Sequence, residues 1–225
     1  MIHCLHGAVG SPRDWEPLRD CLEHEIHSID LWPYLKKTTP SLEETGTLIA
    51  DQANQGDILL GYSMGGRLAL HALLADPQKW RAAIIVSAHP GLESGYEERL
   101  LNDAHWGNLA RTNWDLFLQE WNAQSILSPP PRGLQQATQH DQAAVAQSFT
   151  SWSLGSQKNL LPDLHKIPCP VLWVTGENDQ KFTQLSHQAS KALQHSTTEI
   201  IPNCGHRVPW EQPGLFTSAL SQFLT

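Results

Sequence analysis

The pentapeptide Gly61-Tyr62-Ser63-Met64-Gly65 ends the apolar run that starts at Asp57 and opens an amphipathic segment carrying Leu68, Leu70, Leu73 and Leu74. A serine between a strand and a helix sits on a sharp turn, where side chains two residues before or after it would collide. Gly61 and Gly65 remove both obstacles, and Gly66 adds clearance. The helix that begins there points N–H groups at any oxyanion formed beside the serine. A parallel strand, a tight turn and a helix are thus demanded in succession, which restricts the chain to an α/β architecture.

The rest of the sequence fits that demand. Apolar runs at 1–5, 27–31, 82–87, 171–175 and 197–201 read as further strands, with 57–62 among them. Helices are expected at 14–23 with Asp14 as N-cap, from Ser41 to about Ala53 with Ser41 and Glu44 as a capping box, at about 181–194 and at 213–224. Between 90 and 165 the alternation stops. Helical stretches at 96–106, 109–124 and 139–153 and a Ser-Pro-Pro-Pro break at 128–131 occupy this part, with no convincing strand. The expectation is a doubly wound, mostly parallel sheet formed by 1–89 and 166–225, with 90–165 inserted as a helical cap. At 225 residues and 40% hydrophobic, the chain can build one sizeable core and is short for two.

A hydroxyl nucleophile needs a base, and the base needs an orienting acid. On a sheet of this kind they follow the serine in the order acid, then histidine. Asp179 lies just past the strand 171–175, with Glu177 as the competing acid, and His206 lies past the strand 197–201. Both fall at the carboxyl edge of the sheet, where open α/β folds place their sites. The loop His6-Gly7 after the first strand should supply one oxyanion donor, the N–H of Ala8 or else of Val9. The N–H of Met64 should supply the other. Arg67, one helical turn past Ser63, is as readily a solvated helix residue as a guanidinium aimed at a substrate carboxylate. The His3/His6 and His24/His27 pairs are spaced for opposite strand faces, so no metal or other cofactor is expected.

Composition narrows the partners. The net charge is −8 without any Lys/Arg run, which argues against nucleic acid or an anionic membrane surface. A small molecule is the expected partner, with no obligate protein partner. Four scattered cysteines, no basic leader and no 18-residue apolar run suggest a cytoplasmic protein with reduced thiols. Of nine tryptophans, Trp106, Trp114, Trp121, Trp152 and Trp210 lie outside the expected strands, as core packing or as an aromatic wall over a pocket.

Leu5-His6-Gly7, the stretch from Gly61 to Arg67, His89-Pro90-Gly91-Leu92, the stretch from Gly176 to Phe182, and Gly205-His206 followed by Glu211-Gln212-Pro213 together resemble the α/β-hydrolase superfamily. Within it they are similar to the succinyl-hydroxycyclohexadiene-carboxylate synthases of menaquinone and phylloquinone biosynthesis. The resemblance implies elimination of pyruvate, with the Ser63-His206-Asp179 triad removing a proton and arginines such as Arg67 holding carboxylates. The chain departs from that pattern in three places. Leu101 stands where a second arginine is expected beside Arg99, residues 133–157 contain no Lys or Arg, and Pro209 replaces a histidine. On that basis the sequence favours a serine hydrolase of small esters or thioesters, with Arg67, Tyr62, Arg99 and Trp121 contacting substrate. The pyruvate-eliminating lyase is the alternative, and a non-catalytic ligand-binding protein on the same scaffold is the third reading.

Overall fold

The computed structural model describes residues 1–127, 130–131 and 134–225. Six parallel strands form one sheet: β1 (Ile2–Leu5), β2 (Ile26–Ile29), β3 (Ile58–Tyr62), β4 (Ala82–Val86), β5 (Val171–Gly176) and β6 (Ser196–Ile201). Their spatial order is β2-β1-β3-β4-β5-β6. The chain first winds outward from β1 to β2, then returns across β1 and winds the other way through β3 to β6. The order reverses between β1 and β3, whose residues pair from Ile2 opposite Ile58 to Leu5 opposite Gly61. Loops leaving two such strands diverge to opposite faces and open a crevice at their carboxyl ends. Here those loops begin at His6 and Ser63.

Alternation along the strands builds two cores, one on each face. Leu5, Leu59, Ile85 and Trp173 face one core, and Cys4, Leu60, Ile84, Val86 and Val174 face the other. The first core is covered by α1 (Trp32–Lys37), α2 (Leu42–Gln52), α3 (Met64–Ala75) and the helices that follow β4. Those are α4 (Tyr96–Thr112), α5 (Trp114–Ala123) and α6 (Gln142–Ser151), and among the described residues between 90 and 165 there is no strand. The second core is closed by Trp15 and Leu18 and by the end of the chain. There α8 (Val208–Glu211) and α9 (Pro213–Leu224) follow β6, whereas α7 (Gln180–Ala192), between β5 and β6, sets Ala189 in the first core.

Several local expectations shift for physical reasons. The segment read as a helix at 14–23 is a 3-10 helix over Pro12–Asp20 with Pro17 inside it. Ser11, not Asp14, is its N-cap, and Asp14 returns a bond by accepting the Ser11 N–H with Oδ2 at 3.1 Å. The first helix after β4 does not stop at 106. Gly107 lies against α6, where a side-chain carbon would meet the Ala146 carbonyl at 2.9 Å, so this glycine is a close-packing site inside α4. The break falls instead at Asn113, whose side chain caps α5 by accepting the Leu116 N–H. The Ser41/Glu44 capping box forms as expected. The 128–131 break lies partly outside the described residues. Among the described residues no helix is long and apolar enough to cross a membrane. The four cysteines are unpaired.

Candidate active site

Strand β3 delivers Ser63 to the crevice in a strained conformation, φ 52° and ψ −110°. For a residue with a side chain, such a conformation costs about 1–3 kcal/mol and persists only where its surroundings enforce it. The enforcement is close packing. A side-chain carbon on Gly61 would meet the Gly65 carbonyl oxygen at 2.5 Å, and one on Gly65 would run into the carbonyls of Leu5 and His6. The turn therefore rests directly on the end of β1, which brings the two loops of the switch point together.

Ser63 Oγ donates to His206 Nε2 at 3.1 Å, and His206 Nδ1 donates to Asp179 Oδ2 at 2.7 Å. Asp179 and His206 are both buried. The aspartate has a second task as N-cap of α7, where its Oδ1 accepts the Phe182 N–H at 3.4 Å. Glu177 turns elsewhere and accepts the Asn203 N–H at 3.0 Å. The histidine loop is gripped from both sides by one carboxylate: Glu211 Oε2 takes the Gly205 N–H at 2.6 Å and Oε1 takes the Arg207 N–H at 2.9 Å. Phe182 packs edge-on against the imidazole, with ring centroids 4.5 Å apart.

The loop after β1 is equally fixed. His6 is fully buried, donates from Nδ1 to the Gly7 carbonyl at 2.9 Å and accepts the Leu31 N–H on Nε2 at 3.1 Å. Burial pulls its pKa down to about 4, so the ring stays neutral and serves as a bracket between two loops. Ala8 and Met64 both line the crevice beside Ser63, whereas Val9 reaches only a smaller cavity behind it. Val9 instead gives its carbonyl to the Ala137 N–H at 2.8 Å.

The crevice has a volume of about 280 Å³. Arg67, Arg99 and Lys181 line it, brought there from α3, α4 and α7. Arg67 is buried and anchored: Nε donates to Gln157 Oε1 at 2.6 Å and Nη2 to the Trp152 carbonyl at 2.6 Å. Nη1 has no protein partner among the described residues, which leaves it for a ligand. Burial, aided by the nearby Arg99 charge, lowers the Arg67 pKa to about 9, and the guanidinium remains charged at neutral pH. Arg99 pairs with Asp103, Nε to Oδ1 at 2.9 Å. The other Asp103 oxygen accepts from Ser153 Oγ at 2.7 Å and from the Leu154 N–H at 3.2 Å. Three cations thus face one engaged carboxylate among the described lining residues, a locally positive site in a chain of net charge −8.

The other sequence candidates divide. Trp121 and Trp152 line the crevice, and Trp106 packs behind Trp121 with centroids 5.3 Å apart. Trp114 is core, tilted against Phe117 with centroids 5.3 Å apart. Tyr62 is not at the crevice: it lies in the cavity behind Ser63, against Trp210 and His206. Leu101 is 74% exposed and does not line the site. Sequence reasoning quoted Lys181, Phe182 and His89 within motifs without giving them a role. It passed over Gln157 and Arg207, which carry no local signal. Arg207 reaches from the histidine loop to the Leu127 carbonyl and Asn122 Oδ1, each at 2.8 Å, and so ties that loop to the end of α5 and the segment after it. No group of three His, Cys, Asp or Glu placed to hold a metal ion occurs among the described residues.

With sheet order, strained serine turn and Ser-His-Asp contacts in place, the class is defined: the chain belongs to the alpha/beta hydrolase family, whose model matches residues 4–219. It is similar to the 2-succinyl-6-hydroxy-2,4-cyclohexadiene-1-carboxylate synthase of Photorhabdus laumondii, 31% identical over 98% of this chain and 84% of that protein. The synthase of the same name from Serratia proteamaculans is 30% identical over 98% of this chain and 91% of its own length. Among solved structures, MenH from S. aureus matches with a TM-score of 0.82 at 22% identity, covering 99% of this chain and 92% of the other, a likeness of fold.

Proposed function

We propose that this chain is a lyase that forms 2-succinyl-6-hydroxy-2,4-cyclohexadiene-1-carboxylate by eliminating pyruvate, and that the Ser63-His206-Asp179 array acts on a carbon-bound proton. The observation that carries this reading is the set of cations around Ser63. The product named for the relatives contains a succinyl carboxylate and a ring carboxylate, and a precursor that still holds pyruvate as its enol ether adds a third. Arg67, Arg99 and Lys181 offer three positive charges to meet them. The sequence favoured ester hydrolysis because the inserted helices are poor in basic residues. In the folded chain the third cation comes from the start of α7, outside that insertion.

The chemistry follows from the geometry. The ring carbon bearing the succinyl ketone is acidified by that carbonyl. Ser63 Oγ, its own proton shared with His206, takes the ring proton and passes the charge to an imidazolium held by Asp179. Negative charge grows on the ketone oxygen, within the field of the Met64 and Ala8 N–H groups. The electron pair then moves along the ring, forms the second double bond and breaks the carbon–oxygen bond to the enolpyruvyl group. The proton held by His206 is returned to that leaving group, which departs as pyruvate. No acyl-enzyme forms.

The test is incubation with the enolpyruvyl precursor while pyruvate is followed through a coupled dehydrogenase and the diene by its absorbance. Stoichiometric pyruvate and diene support the reading. An acyl-enzyme burst on activated esters, without pyruvate from the precursor, refutes it and returns the assignment to ester or thioester hydrolysis.

A further inference from the structure

His89 lies in the crevice at the carboxyl end of β4, amid the three cations. Its ring nitrogens are distinguishable. The Gly91 N–H donates to Nδ1 at 3.1 Å, so Nδ1 carries the lone pair, and in a neutral ring the proton then resides on Nε2. The turn that aims this N–H is built for it. Gly91 has φ +132°, a conformation L side chains rarely adopt, and a side-chain carbon there would strike Asn159 Cα at 2.5 Å. The backbone on either side is pinned as well, since Gln157 Nε2 donates to the His89 carbonyl at 3.2 Å and the Leu160 N–H to the Pro90 carbonyl at 2.9 Å. This gives the His-Pro-Gly-Leu stretch a physical purpose: it fixes one tautomer of one ring.

The charges around the ring act the same way. Burial is the main influence holding the His89 pKa down, to about 4, and Lys181, Arg67 and Arg99 follow in that order. A fourth charge among these three would be repelled. A neutral N–H adds a hydrogen bond at no such cost. Nε2 has no protein partner among the described residues. The ring edge meets Phe182 at 6.3 Å between centroids, and Phe182 in turn packs on His206, so His89 shares a wall with the serine–histidine pair.

We infer that His89 is a substrate-anchoring residue, donating from Nε2 to an oxygen of the anionic substrate held by Arg67, Arg99 and Lys181. This deepens the function proposed above and rests on it for the identity of the ligand. It sets specificity by geometry: only a ligand that places an acceptor at this point, beside its charged groups, satisfies the ring.

Two measurements test it together. Nitrogen NMR of the free protein should show His89 with Nδ1 unprotonated and Nε2 protonated from pH 5 to 8. The Nε2 proton should move downfield on saturation with an aromatic analogue of the product that carries the same succinyl and ring carboxylate groups. In parallel, His89→Phe keeps a ring against Phe182 but removes the donor. Its KM should rise roughly ten- to hundredfold with kcat little changed, the range for a hydrogen bond to a charged group. His89→Gln restores an N–H near the same place and should recover much of that loss. Protonation at Nδ1, a titration near pH 6.5, or analogue binding by His89→Phe equal to wild type would overturn the inference. If wild type binds the analogue and His89 behaves as described while no pyruvate is released from the precursor, the proposed reaction falls and the anchoring role stands. If pyruvate is released and His89→Phe is unchanged in KM, only the anchoring role falls.

Discussion

Replacing Arg67 by alanine separates what this residue does for the fold from what it does for a ligand. In the folded chain its Nε and Nη2 are committed to Gln157 Oε1 and the Trp152 carbonyl, each at 2.6 Å, and Nη1 has no partner among the described residues. A charge-assisted contact to a carboxylate is worth about 1.5–3 kcal/mol. Its loss should lower kcat/KM by roughly 10- to 150-fold, at 1.36 kcal/mol per decade. The effect should fall mainly on KM, because the contact is made in ground and transition state alike. Stability should also drop, by about 1–3 kcal/mol, since two buried acceptors lose their donors, although relief of the buried charge offsets part of it. For a chain of this size each kcal/mol moves Tm by about 2–4 °C. Gln157→Leu should loosen the guanidinium and produce a smaller loss of kcat/KM. If Gln157 acts only by holding Arg67, the double variant will be no worse than Arg67→Ala alone. The assay is pyruvate release across substrate concentrations, with circular dichroism as the check on folding. An Arg67→Ala protein that stays folded with an unchanged KM refutes the reasoning, and a double variant whose loss is the product of the two singles refutes the holding role of Gln157.

Ser63→Ala should lose at least about a thousandfold in kcat and all labelling by a fluorophosphonate probe, while analogue binding measured by calorimetry stays close to wild type. Lys181→Gln should raise KM about tenfold, the size of one lost charge-assisted contact, and should weaken the dependence of kcat/KM on salt. Stability should fall as pH drops from about 6.5 to 4, because His6, His71 and His89 have pKa values lowered to about 4 by burial and take up protons more readily when unfolded. A urea midpoint that is flat over this range would contradict it. Asp14 works in the opposite direction: burial raises its pKa to about 7, so the folded chain holds that proton longer and loses stability as pH rises from about 4 to 7. Asp14→Asn should therefore raise Tm at pH 8 relative to wild type and leave it nearly unchanged at pH 4.

What could be read along the chain was what local physics writes there. Buried parallel strands appear as apolar runs, and β3 turning into α3 at Ser63 appears as a glycine-spaced turn. The Ser41 capping box names its own helix start. The short helices α1 and α8 were missed because each is under two turns, has proline at its first positions and lacks a side-chain cap. The 3-10 helix at Pro12–Asp20 was misread because Pro17 interrupts the 3.6-residue pattern without abolishing burial of Trp15 and Leu18. For the candidate site, chain order was enough to propose Ser63, Asp179 and His206, since strand ends are visible in sequence. The surrounding charge was not visible, because it depends on which face of which helix meets the crevice.

That difference governs how function should be argued on this scaffold. A serine bonded to a histidine that is bonded to an aspartate has a geometry suited to proton transfer, and that geometry serves attack on an acyl carbon as well as removal of a proton from carbon. The choice lies with the ligand it is offered, and the groups proposed to select that ligand are scattered widely in the sequence: Arg67 on α3, His89 after β4, Arg99 on α4, Lys181 on α7. Counting basic residues within the inserted helices undercounted the site, since Lys181 reaches it from the core as the second residue of the helix that Asp179 caps. The carboxylate that orients His206 thus also sets the start of the helix bearing a cation, and substitution of Asp179 should disturb binding as well as turnover. Asp179→Asn, which can still accept the Phe182 N–H, should spare KM for the precursor while lowering kcat. Asp179→Ala removes the cap as well and should raise KM in addition. Equal KM values for the two variants would show that the cap and the charge are independent.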